Sequence, residues 1–99
     1  MIRHLVIWTF TTPDAVEKDR LAAEVAERLL ALREAIPEIG SMEFHRDAAG
    51  FERNADLLLE STFADLDALG AYLEHPDHRA VAAWIDSNVR GRAVVDLEV

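Results

Sequence analysis

The first strand-like segment of this chain is apolar on both of its faces. One face carries Ile2, His4, Val6, Trp8 and Phe10, and the other carries Arg3, Leu5, Ile7 and Thr9. This alternation is typical of a β-strand. Because apolar surface on both sides must leave water, we expect helices to cover one face of the sheet and further protein to cover the other.

A segment with the periodicity of an amphipathic helix follows this strand. Pro13 and Asp14 are typical of a helix start, and Asp14 with Glu17 forms a possible capping box. The predicted buried stripe is Leu21, Val25, Leu29 and Leu32, and the predicted surface pairs are Asp14 with Lys18 and Glu24 with Arg28. We expect the helix to end at Ile36, because Pro37 disfavours helical geometry in the residue before it.

The remaining chain predicts two strands, a broken helix and a last strand. Residues 41–47 and 56–63 alternate as strands do, and residues 92–99 alternate again. Asp65 can cap a helix that must stop or kink at His75-Pro76, and Asp77 can cap its successor. The order strand, helix, strand, strand, broken helix, strand predicts an α+β, ferredoxin-like βαββαβ protomer, with residues 1–99 as one domain.

The face of the sheet that the helices leave open predicts an oligomer. We place Leu5, Ile7, Leu58 and Val94 on that face. So much apolar surface is costly to leave wet, and two-fold pairing is the commonest way to cover it. We therefore expect a homodimer whose two sheets face each other.

Composition narrows the possible partners. Nineteen acidic against ten basic residues give a net charge of −9, which repels nucleic-acid phosphates and anionic lipids. We expect no nucleic-acid partner and no membrane partner. The chain shows no basic leader and no apolar run of the ~20 residues that a membrane span needs, so we expect a cytoplasmic protein. The absence of cysteine excludes thiolate nucleophiles and thiolate metal sites.

Proton-handling side chains concentrate between residues 72 and 78. This segment holds the only tyrosine, Tyr72, and two of the four histidines, His75 and His78. His78 shares the apolar stripe of the last helix, and Tyr72 can lean toward the same interior. His4 lies on the strand face that we assign to the helices. We therefore expect Tyr72, His78 and His4 to converge between sheet and helices.

Such a cluster suits the removal of a proton next to a carbonyl group. An apolar pocket favours the neutral imidazole that a general base needs, and a buried phenol can bond a carbonyl oxygen as it gains charge. We predict His78 as the base, Tyr72 as the partner of the oxygen, and His4 as an orienting or second hydrogen-bonding group. The predicted substrate-binding residues are Val6, Trp8, Leu57 and Val81.

Other uses of these residues stay open at this point. A histidine on an apolar face can be a satisfied core residue, and we interpret His75 and Pro76 as a structural helix break and His45 as solvent-facing. Residues 74–78 also contain metal-ligand types, but their spacing does not match a strong zinc signature. We therefore expect no metal and no cofactor. A small carbonyl-bearing ligand is the expected partner beside the second subunit.

Four segments together resemble the stress-responsive dimeric α/β-barrel (Dabb) family. They are the opening residues 1–7, the helix end at 36–39, the segment 69–78 and the closing residues 94–96. The resemblance runs from the first strand to the last. It implies a ferredoxin-like protomer and a dimer whose two sheets close into a barrel.

Within that family the chain is distantly similar to olivetolic acid cyclase, which implies a cofactor-free aldol cyclisation. The resemblance matches the cyclase's catalytic tyrosine and histidine to Tyr72 and His78, and its first-strand histidine to His4. Leu57 stands where the cyclase has a further pocket histidine, and residues 14–36 contain no aromatic side chain to line a long pocket.

The predicted function is therefore proton abstraction, aldol-type cyclisation or isomerisation of a small carbonyl compound. A non-catalytic, stress-responsive ligand-binding protein is one alternative. A cofactor-independent monooxygenase-like enzyme, acting on an electron-rich aromatic substrate, is another.

Overall fold

The computed structural model describes residues 1–99 and shows a four-stranded antiparallel sheet with helices on one face. The elements are β1 Ile2–Phe10, α1 Ala15–Ala31, β2 Met42–Arg46, β3 Leu57–Phe63, α2 Leu66–Glu74, α3 Pro76–Asp86 and β4 Val89–Glu98. The strands lie in the order β2-β3-β1-β4. The predicted α+β, ferredoxin-like protomer with a broken second helix is confirmed. None of the helices has the length and apolar content that crossing a bilayer requires.

Strand β1 lies at the centre of the sheet and sets the register on both sides. Val6 pairs with Leu59 of β3 and with Val94 of β4. The residues of β1 that were predicted to face the helices are all buried, which confirms the face assignment. They pack against the predicted apolar stripe, in which Leu21, Val25 and Leu29 of α1 and the capping residue Leu32 are all buried.

Helix α1 begins as predicted and ends earlier than predicted. The Asp14 side chain caps it by accepting the Glu17 backbone N–H at 2.9 Å. The helix ends at Ala31, because the Leu32 N–H turns back to the carbonyls of Leu29 and Leu30 and the following residues form turns. Pro37 therefore does not end the helix, and the expectation that the helix reaches residue 36 is wrong.

A buried carboxylate explains why one predicted ion pair is absent. Lys18 pairs with Asp56 at 3.1 Å rather than with Asp14, whereas the predicted pair of Glu24 with Arg28 forms at 3.1 Å. Asp56 is 7% exposed and also accepts the Phe10 backbone N–H at 2.8 Å. A buried carboxylate needs such partners more than the exposed Asp14 does.

The second helix breaks at His75, and His75 rather than Asp77 caps the next helix. His75 is extended, Pro76 is the first residue of α3, and the His75 ring accepts the Asp77 N–H at 3.1 Å. Proline suits this first position, where its missing N–H costs no helical hydrogen bond. The expectation that Asp77 caps α3 is wrong, because Pro76 already occupies the first turn.

The open face of the sheet is apolar, but one residue was assigned to the wrong side. Val94 pairs with Val6 and therefore shares the helix face, whereas Val95 pairs with Leu5 on the open face. Strand β4 also starts at Val89 rather than at residue 92, with a register irregularity opposite Thr9 and Phe10. The large side chains left wet on the open face include Ile7, Val95 and Leu97, at 42%, 54% and 38% exposure.

Candidate functional site

A small cavity lies between the helix face of the sheet and the two short helices. Its volume is about 50 Å³. It is lined by His4, Val6, Trp8, Leu29, Leu59, Tyr72, Leu73, His78, Ala82, Ile85, Asp86 and Arg92. The three residues predicted to converge, His4, Tyr72 and His78, thus border one space, although His4 is far from the other two in the chain.

The hydrogen bond of His78 determines which ring nitrogen is free. Its Nδ1 lies 3.2 Å from the Leu73 carbonyl oxygen. A carbonyl only accepts, so Nδ1 carries the proton and the neutral ring keeps a lone pair on Nε2. Burial is the largest influence and lowers the pKa of His78. The hydrogen bond to the Leu73 carbonyl opposes this effect, and the neighbouring His4, Arg92 and His75 lower the pKa further. His78 is therefore held toward its neutral, proton-accepting form.

Tyr72 places a neutral phenol beside this imidazole. The side chain is 1% exposed, and its ring centroid lies 4.2 Å from that of His78 and 5.0 Å from that of Phe63. Burial raises the pKa of the Tyr72 phenol, which therefore keeps its proton well above neutral pH. Its hydroxyl makes no hydrogen bond with protein and is not fully enclosed, so it can donate to a molecule in the cavity.

His4 is held by a carboxylate that the sequence interpretation missed. Nδ1 of His4 lies 2.5 Å from Oδ1 of Asp96, and the His4 side chain is almost wholly buried. Asp96 pairs with His4 across β1 and β4. The only signal in the sequence was the acidic residue that follows Val94 and Val95, and its role becomes visible only once β4 is paired with β1. The bond turns Nε2 of His4 away from the carboxylate.

The predicted lining residues divide into two groups. Val6 and Trp8 line the cavity, whereas Leu57 and Val81 are absent from its lining. On β3, Leu59, which pairs with Val6, lines the cavity, whereas Leu57, which pairs with Trp8, does not. On α3 the lining follows His78, Ala82 and Ile85, one row of the helix that leaves out Val81. The helix-break residues His75 and Pro76 also lie outside the lining.

One histidine, His45, lies on the face of the sheet opposite the cavity. His45 is exposed as expected, with Nε2 at 3.5 Å from a Glu60 oxygen and 3.7 Å from a Glu43 oxygen. These three residues have ligand atoms close enough to share an ion, but all are at least partly exposed. In the segment 74–78, by contrast, Nδ1 of both His75 and His78 is already bonded to backbone. The cluster whose ligand atoms are close enough for a metal ion is therefore Glu43, His45 and Glu60, and not the segment 74–78.

Comparisons with known proteins agree with this architecture. The uncharacterised protein SCO4036 of Streptomyces coelicolor is 35% identical over 85 residues, which are 85% of this chain and 87% of that protein. A dimeric ferredoxin-like protein of unknown function from Thermobifida fusca matches with a TM-score of 0.80 and 28% identity, covering 99% of this chain and 90% of that one. The hydroxynitrile lyase of Passiflora edulis shares the fold, with a TM-score of 0.83 and 14% identity over 99% of this chain and 92% of the lyase.

A family model gives the assignment. The model of the stress-responsive A/B barrel domain, Dabb, matches residues 2–99, so the match runs through every strand and helix described above. The chain belongs to the stress-responsive A/B barrel (Dabb) family.

Proposed function

We propose that this protein removes a proton next to the carbonyl group of a small molecule without a cofactor, as the first step of an aldol-type cyclisation or an isomerisation. One observation carries the proposal: a neutral imidazole with a free Nε2 and a neutral, unbonded phenol border the same cavity with their rings 4.2 Å apart. His78 is the base, and Tyr72 is the donor to the carbonyl oxygen.

Each group has a defined part in the proposed step. Nε2 of His78 takes the proton from the carbon beside the carbonyl, and the electrons of that C–H bond form the enolate. The carbonyl oxygen gains negative charge, which the Tyr72 hydroxyl stabilises by donating a hydrogen bond. The His4–Asp96 pair orients the second imidazole at the cavity wall. The imidazolium of His78 then returns the proton to a carbon, or the enolate carbon attacks a second carbonyl and the imidazolium gives its proton to the alkoxide that forms.

The size of the cavity limits the substrate. A space of about 50 Å³ holds only about four water molecules, at ~10–15 Å³ for each. A drug-sized ligand needs several times that volume. An acetyl group fits, and a long polyketide does not. The substrate class that agrees with this volume is a small ketone whose reacting end enters and whose remainder stays at the mouth.

The fold is compatible with catalysis, since it carries a hydroxynitrile lyase in Passiflora edulis. A stress-responsive ligand-binding protein would use the same cavity without turnover. These two functions differ in one observable, which is whether bound ligand exchanges its carbon-bound protons with solvent. Oxygen uptake with a quinol would identify the monooxygenase-like alternative.

Deuterium exchange into pyruvamide, a small neutral ketone, measures the proposed step directly by proton NMR in D2O. We expect Tyr72→Phe to lower the protein-catalysed exchange rate by about 100-fold, because the enolate loses its hydrogen-bond donor. The ring and its packing on Phe63 remain, so the thermal midpoint should stay close to that of the wild type. Binding of pyruvamide without exchange in the wild-type protein would instead indicate a ligand-binding function.

We also propose that two copies pair through the open face of the sheet, which carries Leu5, Ile7 and Val95. The relative from Thermobifida fusca is dimeric. We expect light scattering at micromolar concentration to give the mass of two chains. Val95→Lys should shift that mass toward one chain, since it places a charge in the apolar contact, whereas Val16→Lys, on the exposed surface of α1, should not. A wild-type mass of one chain would contradict the dimer.

A further inference from the structure

We propose that Arg92 makes the cavity selective for small oxo acids, ketones that carry a carboxylate beside the reacting group. This inference rests on the proposed function, because it names the substrate class of the same site. Arg92 pairs with Trp8 in the sheet, so it projects from the helix face of β4, and it lines the cavity.

The charge of Arg92 is available to a ligand. It forms no salt bridge, whereas Arg20, Arg28 and Arg46 are each paired with a carboxylate. No other lysine or arginine lines the cavity. Its charge also reaches the base, because it contributes to lowering the pKa of His78. An unpaired guanidinium near the reacting groups, in a chain with a net charge of −9, favours an anionic ligand.

The geometry of an oxo acid matches the distribution of groups around the cavity. The apolar part of the cavity, with Tyr72 and His78, accepts the acetyl end, whose proton is removed. The guanidinium of Arg92 is exposed and can take the carboxylate in a bidentate contact. Neutralising that carboxylate also favours the reaction, because the enolate adds a second negative charge to the same small molecule.

Asp86 is the opposing group. It is the only carboxylate that lines the cavity, it is exposed, and it forms no ion pair with Arg92. A carboxylate at the mouth repels an anionic ligand, so its removal should strengthen binding where removal of Arg92 weakens it. The two variants therefore have effects of opposite sign on the same ligand, which general damage to the fold cannot produce.

Pyruvate and pyruvamide test this inference, because they have the same carbon skeleton and differ in charge. The measured quantity is the ratio of kcat/KM for deuterium exchange into pyruvate to that for pyruvamide. We expect Arg92→Gln to lower this ratio by about 10- to 100-fold, mainly through KM for pyruvate. Asp86→Asn should raise it by a few-fold, as expected for an exposed charge. Arg90→Gln, an exposed arginine of the same strand outside the cavity lining, should leave it unchanged.

NMR of the His78 ring gives a readout that does not depend on turnover. We expect its pKa to rise in Arg92→Gln, because a neighbouring positive charge is removed. Pyruvate should also shift the His78 signal in the wild-type protein and much less in Arg92→Gln. If both ketones exchange and Arg92→Gln leaves the ratio unchanged, the oxo-acid selectivity is wrong and the proposed function stands. If neither exchanges, the proposed function is wrong. In that case the pyruvate titration still tests Arg92. Equal binding of pyruvate by the wild-type protein and by Arg92→Gln would overturn the role of Arg92 in carboxylate recognition.

Discussion

Replacing His78 with alanine is expected to lower the rate of deuterium exchange into pyruvamide by about 100- to 10,000-fold, the usual contribution of a general base. The variant removes the free Nε2 that accepts the proton, while the other two cavity groups, Tyr72 and His4, remain in place. Exchange is measured by proton NMR in D2O as the loss of the methyl signal.

His45→Ala is the matched control for this variant. It also removes one imidazole, but from the exposed face of the sheet opposite the cavity. Its exchange rate should equal that of the wild type. An equal loss in both variants would show that the measured exchange does not take place in the cavity. Circular dichroism establishes that each variant is folded.

The pH dependence of exchange follows from the lowered pKa of His78. The base is active when neutral, so the rate is constant above that pKa and falls as the pH drops through it. Because burial and three neighbouring charged or ionisable groups lower the pKa, the midpoint should lie below the ordinary value of 6.5. A midpoint clearly above 6.5 would contradict the assignment of His78 as the base.

Replacing Phe63 with alanine is expected to lower the free energy of unfolding by about 3–5 kcal/mol. Phe63 is 1% exposed and joins the core to the candidate site, with its ring centroid 5.0 Å from Tyr72 and 6.2 Å from His4. The substitution leaves a cavity beneath both side chains. Urea unfolding followed by circular dichroism measures the loss, at unchanged slope if the unfolded states are similar.

Two control variants separate the loss of core packing at Phe63 from the loss of a phenylalanine side chain in general. Phe63→Leu keeps most of the apolar volume and should cost about 1.5 kcal/mol or less. Phe51→Ala removes the same side chain at a position that is 63% exposed, and should change stability by no more than ~0.5 kcal/mol. If Phe51→Ala costs as much as Phe63→Ala, the described core is wrong.

The fold follows from local patterns, but its boundaries do not. Alternation along residues 2–10 and the period of Leu21, Val25 and Leu29 predict the strand and the buried stripe, because both depend on one face being buried. The end of α1 depends instead on where the chain must turn to bury Ile36, which is wholly enclosed. Likewise, the side assigned to Val94 depends on the pairing of β4 with β1, which the sequence of β4 does not contain.

The candidate site was predictable where a residue type is rare and its periodicity is clear. Tyr72, His78 and His4 meet these conditions, and all three line the cavity. Asp96 and Arg92 do not, because charged residues are common and a role for them appears only when β4 is placed beside His4 and Trp8. Leu57 was predicted to bind substrate, whereas Leu59 on the same face of β3 lines the cavity, because alternation gives the face of a strand and not the position along it.

The most direct test of the proposed chemistry is the exchange of pyruvamide protons by the wild-type protein in D2O at neutral pH. We predict loss of the methyl signal at a rate proportional to protein concentration and far above the rate in buffer. We also predict that His78→Ala returns the rate close to that of buffer. A folded wild-type protein that exchanges pyruvamide and pyruvate no faster than buffer does would contradict the role of His78 and Tyr72 in proton removal.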